Sequence, residues 1–99
     1  MDMQQTGKAS AQGQPQGLDS LPHGVSATVV GLRQSADGRA SAMALRLMEI
    51  GFLPGEPVRV IARGFPAADP LAVRVGQATF ALRRHEAAQV LVHVPEGEA

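Results

Sequence analysis

The side chains best suited to chemistry in this sequence are His23, His85 and His93, with Glu86 beside the second. A transition-metal site needs such ligands to converge on one point. There is no Cys, and no pair of His stands at a metal-ligand spacing. His85 and Glu86 fall together on one helical turn, and His93 points outward from the last strand if Val92 points in. Within a single chain the plain reading is three solvated histidines and no resident cofactor or metal. Between two chains, His23, His85, Glu86 or His93 could meet a neighbour's ligands and hold zinc or iron, so a metal-bridged dimer that senses such an ion stays open.

Other chemistry has less to stand on. Ser20, Ser26, Ser35 and Ser41 occur in loop, strand or cap contexts without a nucleophile-elbow sequence. The acids are scattered singly rather than paired, and no GxxxxGK or GxGxxG loop is present. An enzyme is therefore not expected. From Leu18 to Pro95 eight Arg face six acids, a surplus of two. That is too little for the basic stripe of a nucleic-acid binder. Proline-rich ligands dock on grooves of Tyr and Trp, and this chain has neither.

What remains is an interaction surface. Phe52, Leu53 and Phe65 stand in turns or loops, where large apolar side chains anchor partners or close a core. Arg46 and Glu49 lie nearby on the outer side of a helix. These five residues are the candidate partner contacts. For the two Phe the competing role is structural: Phe52 as a helix cap and Phe65 as a plug at one end of the core. Arg59, Arg63 and Arg74 fall on one strand face, where solvation explains them as well as a partner would.

The elements that carry these residues can be read from spacing. Ala40, Met43, Ala44, Leu47 and Ile50 follow the helical 3-and-4 rhythm. Asp37 or Ser41 could cap the start. Gly51 falls at the left-handed C′ position, with Phe52 at C″ able to pack back on Leu47. Leu53-Pro54-Gly55 then turns the chain into Pro57 to Arg63, with Val58, Val60 and Ala62 on one face. Val25 to Leu32 precedes the helix as a strand. Leu71 to Val75 and Ala78 to Leu82 form a hairpin across Gly76-Gln77. Arg83 to Ala88 makes one helical turn, and Val90 to Val94 alternates into Pro95. Leu21-Pro22-His23-Gly24 echoes the Leu53-Pro54-Gly55 turn.

The result is mainly β: about five strands, one inserted α-helix and a short helical turn. Such spacing suits a small closed barrel. The domain is expected over residues 18–95, with flexible tails at 1–17 and 96–99. No apolar run approaches the ~18 residues of a spanning helix. Residues 1–16 hold no apolar h-region, so no secretory signal is expected. The lack of Cys fits a cytosolic protein.

Four segments in order resemble one family. They are Leu18-Asp19-Ser20-Leu21-Pro22-His23-Gly24; the run from Leu45 to Gly55; Asp69-Pro70-Leu71-Ala72-Val73-Arg74-Val75; and Phe80 to Ala87. Together they are similar to FeoA, the small accessory protein of bacterial ferrous iron uptake. The resemblance implies an SH3-like barrel, a cytoplasmic location and a non-enzymatic role. It implies docking on FeoB, the membrane permease with a cytosolic GTP-binding domain, by a monomer or weak homodimer that neither enters the membrane nor binds nucleic acid. Similar SH3-like domains end some metal-dependent transcription regulators, and such a domain is the alternative.

Overall fold

Val, Ala and Leu alternating with polar side chains place one face of each strand against a shared core, and the chain folds accordingly. The computed structural model describes residues 14–34, 41–64 and 69–95. Strands β1 (Gln16–Gly17), β2 (Ser26–Leu32), β3 (Pro57–Arg63), β4 (Leu71–Val75), β5 (Ala78–Leu82) and β6 (Val90–His93) are joined by helices α1 (Ala42–Glu49) and α2 (Arg84–Ala87). A 3-10 turn, Leu18–Ser20, follows β1. All pairings are antiparallel, in the order β1-β6-β2-β3-β4-β5. The expected class is observed: mainly β, with one inserted helix and a short helical turn.

Three details differ from the reading of the sequence. Gln16 and Gly17 pair with Val92 and Leu91, so a sixth, two-residue strand extends into the stretch expected to be tail. Nothing in the pattern announced it, because two residues carry no alternation. Among the described residues β5 and β1 do not pair, so the ladder is not closed into a full barrel. The third difference is in β3. Val60 pairs with Val73 but Ala62 pairs with Ala72, so Ile61 is an extra residue on β3. Such a bulge reverses the faces beyond it. Ala62, expected to point inward with Val58 and Val60, is exposed. Arg63, expected on the outer face with Arg59 and Arg74, is half-buried and donates from Nη2 to the Leu21 carbonyl. A second bulge falls at Val30 of β2, whose side chain is exposed.

The core is aliphatic, built on Val29, Val58, Val60, Val73, Val92 and Leu82 from the sheet and Leu47 from α1. Leu18 and Leu21, outside any regular alternation, are fully buried beside them. Phe52 and Phe80 meet with ring centroids 6.2 Å apart at 51°, a tilted contact of the kind aromatic pairs favour.

Ser41 is the N-cap of α1, its hydroxyl accepting from the Ala44 N–H at 3.0 Å. At the other end Gly51 donates to the Met48 carbonyl at 3.1 Å and Phe52 to the Leu47 carbonyl at 3.0 Å. These two bonds make a Schellman cap, with Phe52 and Leu47 as its hydrophobic pair. Gly51 has φ +124, open to Gly and costly to other residues. The two echoing turns share one device. Gly24 (φ +83) and Gly55 (φ +93) each hold the third position, and each donates its N–H to a neighbouring strand, at Val60 and Val29. The proline differs: Pro54 leads its Gly directly, whereas Pro22 stands two residues before Gly24.

Candidate functional site

The residues singled out around the helix C-terminus are held by rigid backbone. The Schellman cap stops α1, and Leu53 donates to the Gly51 carbonyl at 2.8 Å while accepting from the Glu56 N–H at 3.0 Å. The Gly55 N–H then ties the turn to β2 through the Val29 carbonyl at 2.8 Å. Leu53, at the first position of a turn fixed on both sides, stays 42% exposed.

Phe52 takes the structural one of its two roles. It is fully buried, so it offers no surface to a partner. The reason is the cap geometry: the bond from its N–H to Leu47 points the chain back, and the ring follows into the core beside Phe80. Arg46 and Glu49 are exposed, as expected for the outer side of α1. Arg46 stands in the last helical turn, where a cation complements the helix dipole. Phe65 lies outside the described residues.

Sequence reasoning missed two members of this surface. Leu45 is 50% exposed and Met48 39% exposed, both on α1. The signal was available: neither belongs to the stripe through Met43, Ala44, Leu47 and Ile50, so both had to face away from the core. Leu45, Met48 and Leu53 are three of the five large apolar residues exposed among those described, and all three lie within nine residues of one another. Val30, a fourth, follows the Val29 carbonyl that anchors the turn. The end of α1 and its turn thus present apolar side chains rimmed by one cation and one anion.

Beside this surface runs an open groove of about 230 Å³. Its walls are Met43 and Arg46 of α1 and the C-cap residue Ile50 against Phe80 and Ala81 of β5, with Glu86 also lining it. Glu86 already has a structural task, since its Oε1 accepts from the Arg83 N–H at 2.8 Å. Asp69 Oδ1 accepts from the next amide, Arg84, at 2.9 Å. The two carboxylates cap the first turn of α2.

The histidines are dispersed over separate elements. His23 contacts the Ile61 carbonyl through Nε2 at 2.9 Å. His85 is exposed on α2, and His93 is half-buried on β6 opposite Thr28. Among the described residues no three His, Asp or Glu side chains gather where an ion would sit. Arg59 donates to the Ser26 hydroxyl at 2.8 Å across the β2–β3 pair. No helix among the described residues is long and apolar enough to cross a membrane.

Comparison with known proteins places this geometry. The model of the FeoA domain matches residues 17–94. The FeoA of Stenotrophomonas maltophilia, solved in complex with zinc, is 43% identical, with 77% of this chain and 87% of that one aligned at a TM-score of 0.65. The FeoA protein of Chlorobium tepidum is 29% identical over 84% of this chain and 73% of that one, at 0.67. A manganese-dependent transcriptional repressor shares the fold at 0.69 and 23% identity, with 84% of this chain covering 43% of the repressor. A search of the curated proteins finds no match.

Proposed function

This chain belongs to the FeoA family, and from that premise we propose that it is a non-enzymatic accessory protein of ferrous iron transport that acts in the cytosol by docking on a FeoB-type permease. Family membership supports the role in ferrous iron transport. The Stenotrophomonas relative is itself described as a candidate activating factor for that transport. The observation that carries the docking reading is the surface at the end of α1. Leu45, Met48 and Leu53 expose apolar side chains within one short stretch of chain, and Arg46 and Glu49 beside them are exposed and charged. Interfaces have this composition, with an apolar or aromatic centre and Arg among the preferred contacts.

The residues act by position and not by reaction. Leu45, Met48 and Leu53 lose water on docking, which drives association at roughly 25 cal/mol for each Å² of apolar surface covered. Arg46 and Glu49 set orientation through charge complementarity and add little raw affinity. The Schellman cap keeps Leu53 in place beforehand, so little ordering entropy is lost on binding. The membrane segment and the nucleotide site belong to the partner.

The test is ferrous uptake in cells lacking the chromosomal copy and supplied with variants. Leu53→Asp and Arg46→Glu reduce uptake while leaving melting temperature close to wild type, and Arg74→Glu on the distant β4 face leaves both unchanged. Full uptake with Leu53→Asp, or loss with Arg74→Glu alone, places the docking face elsewhere.

A further inference from the structure

The free edge of β5 belongs to a second interface. We propose that two copies of this chain pair edge to edge through β5, antiparallel about a two-fold axis at Phe80.

The backbone argument comes first. Gly76 and Gln77 link β4 to β5, and Val75 pairs with Ala78. A two-residue link makes that flanking pair the hydrogen-bonded one. The bonded pairs alternate from there, so Val73 with Phe80 and Leu71 with Leu82 also bond inward. The N–H and C=O groups of Thr79 and Ala81 therefore point away from β4. Among the described residues no strand lies on that side, and no backbone bond from outside β5 reaches them. A row of unpaired amides templates another strand unless it is defended by charge, proline or a bulge. Ala78-Thr79-Phe80-Ala81-Leu82 contains none of these, and its ladder with β4 is regular.

The side chains say which strand fits. With Phe80 opposite Phe80 of a second copy, Thr79 faces Ala81 and the two exchange a pair of backbone hydrogen bonds, twice by symmetry. Thr79 and Ala81 are small and exposed, and Met43, Arg46 and Ile50 stand across the groove from Ala81. The half-exposed Phe80 rings meet at the axis, covering area that now lines the groove. The same register brings the Arg83-Arg84 pair of each copy to the Gly76-Gln77 turn of the other. An acid waits there: a Cβ placed on Gly76 would lie 3.2 Å from Glu56 Oε1. Cation meets anion twice. This complementarity at a fixed register favours a second copy over an arbitrary extended peptide. The β5 edge borders the groove that Arg46 also lines, but the pairing does not depend on whether the α1 surface docks on a permease.

The test uses the full chain in sedimentation velocity over a concentration series. Wild type dimerises reversibly as concentration rises. Ala81→Lys, an exposed substitution that leaves the far-UV spectrum unchanged, weakens the dimer by at least about tenfold through edge charge. Glu56→Arg and Arg84→Glu each weaken it, and the two together in one chain restore it. A second measurement exploits the absence of Cys. Thr79→Cys and Ala81→Cys chains are mixed and oxidised. Hydrogen-bonded partners stand about 5.5 Å apart at Cα, within disulfide reach, whereas like positions are offset by two residues on each strand and fall beyond the limit of about 7 Å. The mixed disulfide therefore accumulates over either homodimer. A wild type that stays monomeric throughout, a dimer indifferent to Ala81→Lys, a charge swap that fails to restore, or like-with-like disulfides in equal yield each overturn the proposal.

Discussion

Replacing Gly51 isolates what the backbone of the helix stop is worth. A Cβ at this position would meet only Val75 Cγ1, at 3.9 Å, an ordinary contact. Overlap therefore contributes nothing, and the cost falls on φ. At +124, Gly51 lies beyond the left-handed well near +57 that Asn tolerates. Holding a side chain there costs on the order of 1–3 kcal/mol. The chain can relieve the strain only by giving up the bonds from Gly51 to Met48 and from Phe52 to Leu47, at roughly 0.5–1.5 kcal/mol each. It would also loosen the ring of Phe52, which is fully buried. Gly51→Ala and Gly51→Val should each lose about 1–3 kcal/mol in urea unfolding, and Gly51→Asn should recover little of it. That last point revises what a left-handed cap at ordinary φ would allow. Gly31→Ala is the control, because it has open space and no positive φ, and it should be near neutral. If Gly51→Ala costs no more than Gly31→Ala, the strain argument is wrong.

Further outcomes follow from the same geometry. Ser41→Ala removes the acceptor for the Ala44 amide and should cost about 0.5–2 kcal/mol in chemical unfolding, with Ser41→Asp nearly silent. Gly64→Ala should cost more than Ser41→Ala, since its Cβ would lie 2.6 Å from the Asp69 carbonyl oxygen, a backbone atom with nowhere to go. Thermal melting in EDTA should match melting without it, because buried Val, Leu and Ala side chains supply the core. A chain that unfolds on chelation would show that metal is part of the fold.

The sequence disclosed α1 most fully. Its stripe, its Ser41 cap and its Gly51 stop each use a residue type with one strong local preference, and all three agree. The hairpin was legible for the same reason, since Gly76 at φ +58 leads a two-residue link. The bulges at Val30 and Ile61 were hidden because an extra β-branched residue in an alternating run looks like continued alternation. Ala62 and Arg63 were consequently assigned to the wrong faces. The open ladder was hidden too, because strand lengths do not say whether the last edge meets the first. Of the candidate contacts, Arg46, Glu49 and Leu53 emerged exposed as expected. The fate of Phe52 turned on where its ring goes after the cap, which depends on Phe80, 28 residues away.

The central claim is that the end of α1 is a docking face for a FeoB-type permease. Its most direct test is a binding isotherm between this chain and the permease's isolated cytosolic part, with wild type beside Leu53→Asp, Arg46→Glu and Arg74→Glu. The account predicts saturable binding, weakened at least about tenfold by Leu53→Asp through loss of an apolar anchor, weakened less by Arg46→Glu, and unchanged by Arg74→Glu. Binding that is undiminished by Leu53→Asp and Arg46→Glu, or abolished by Arg74→Glu, contradicts it.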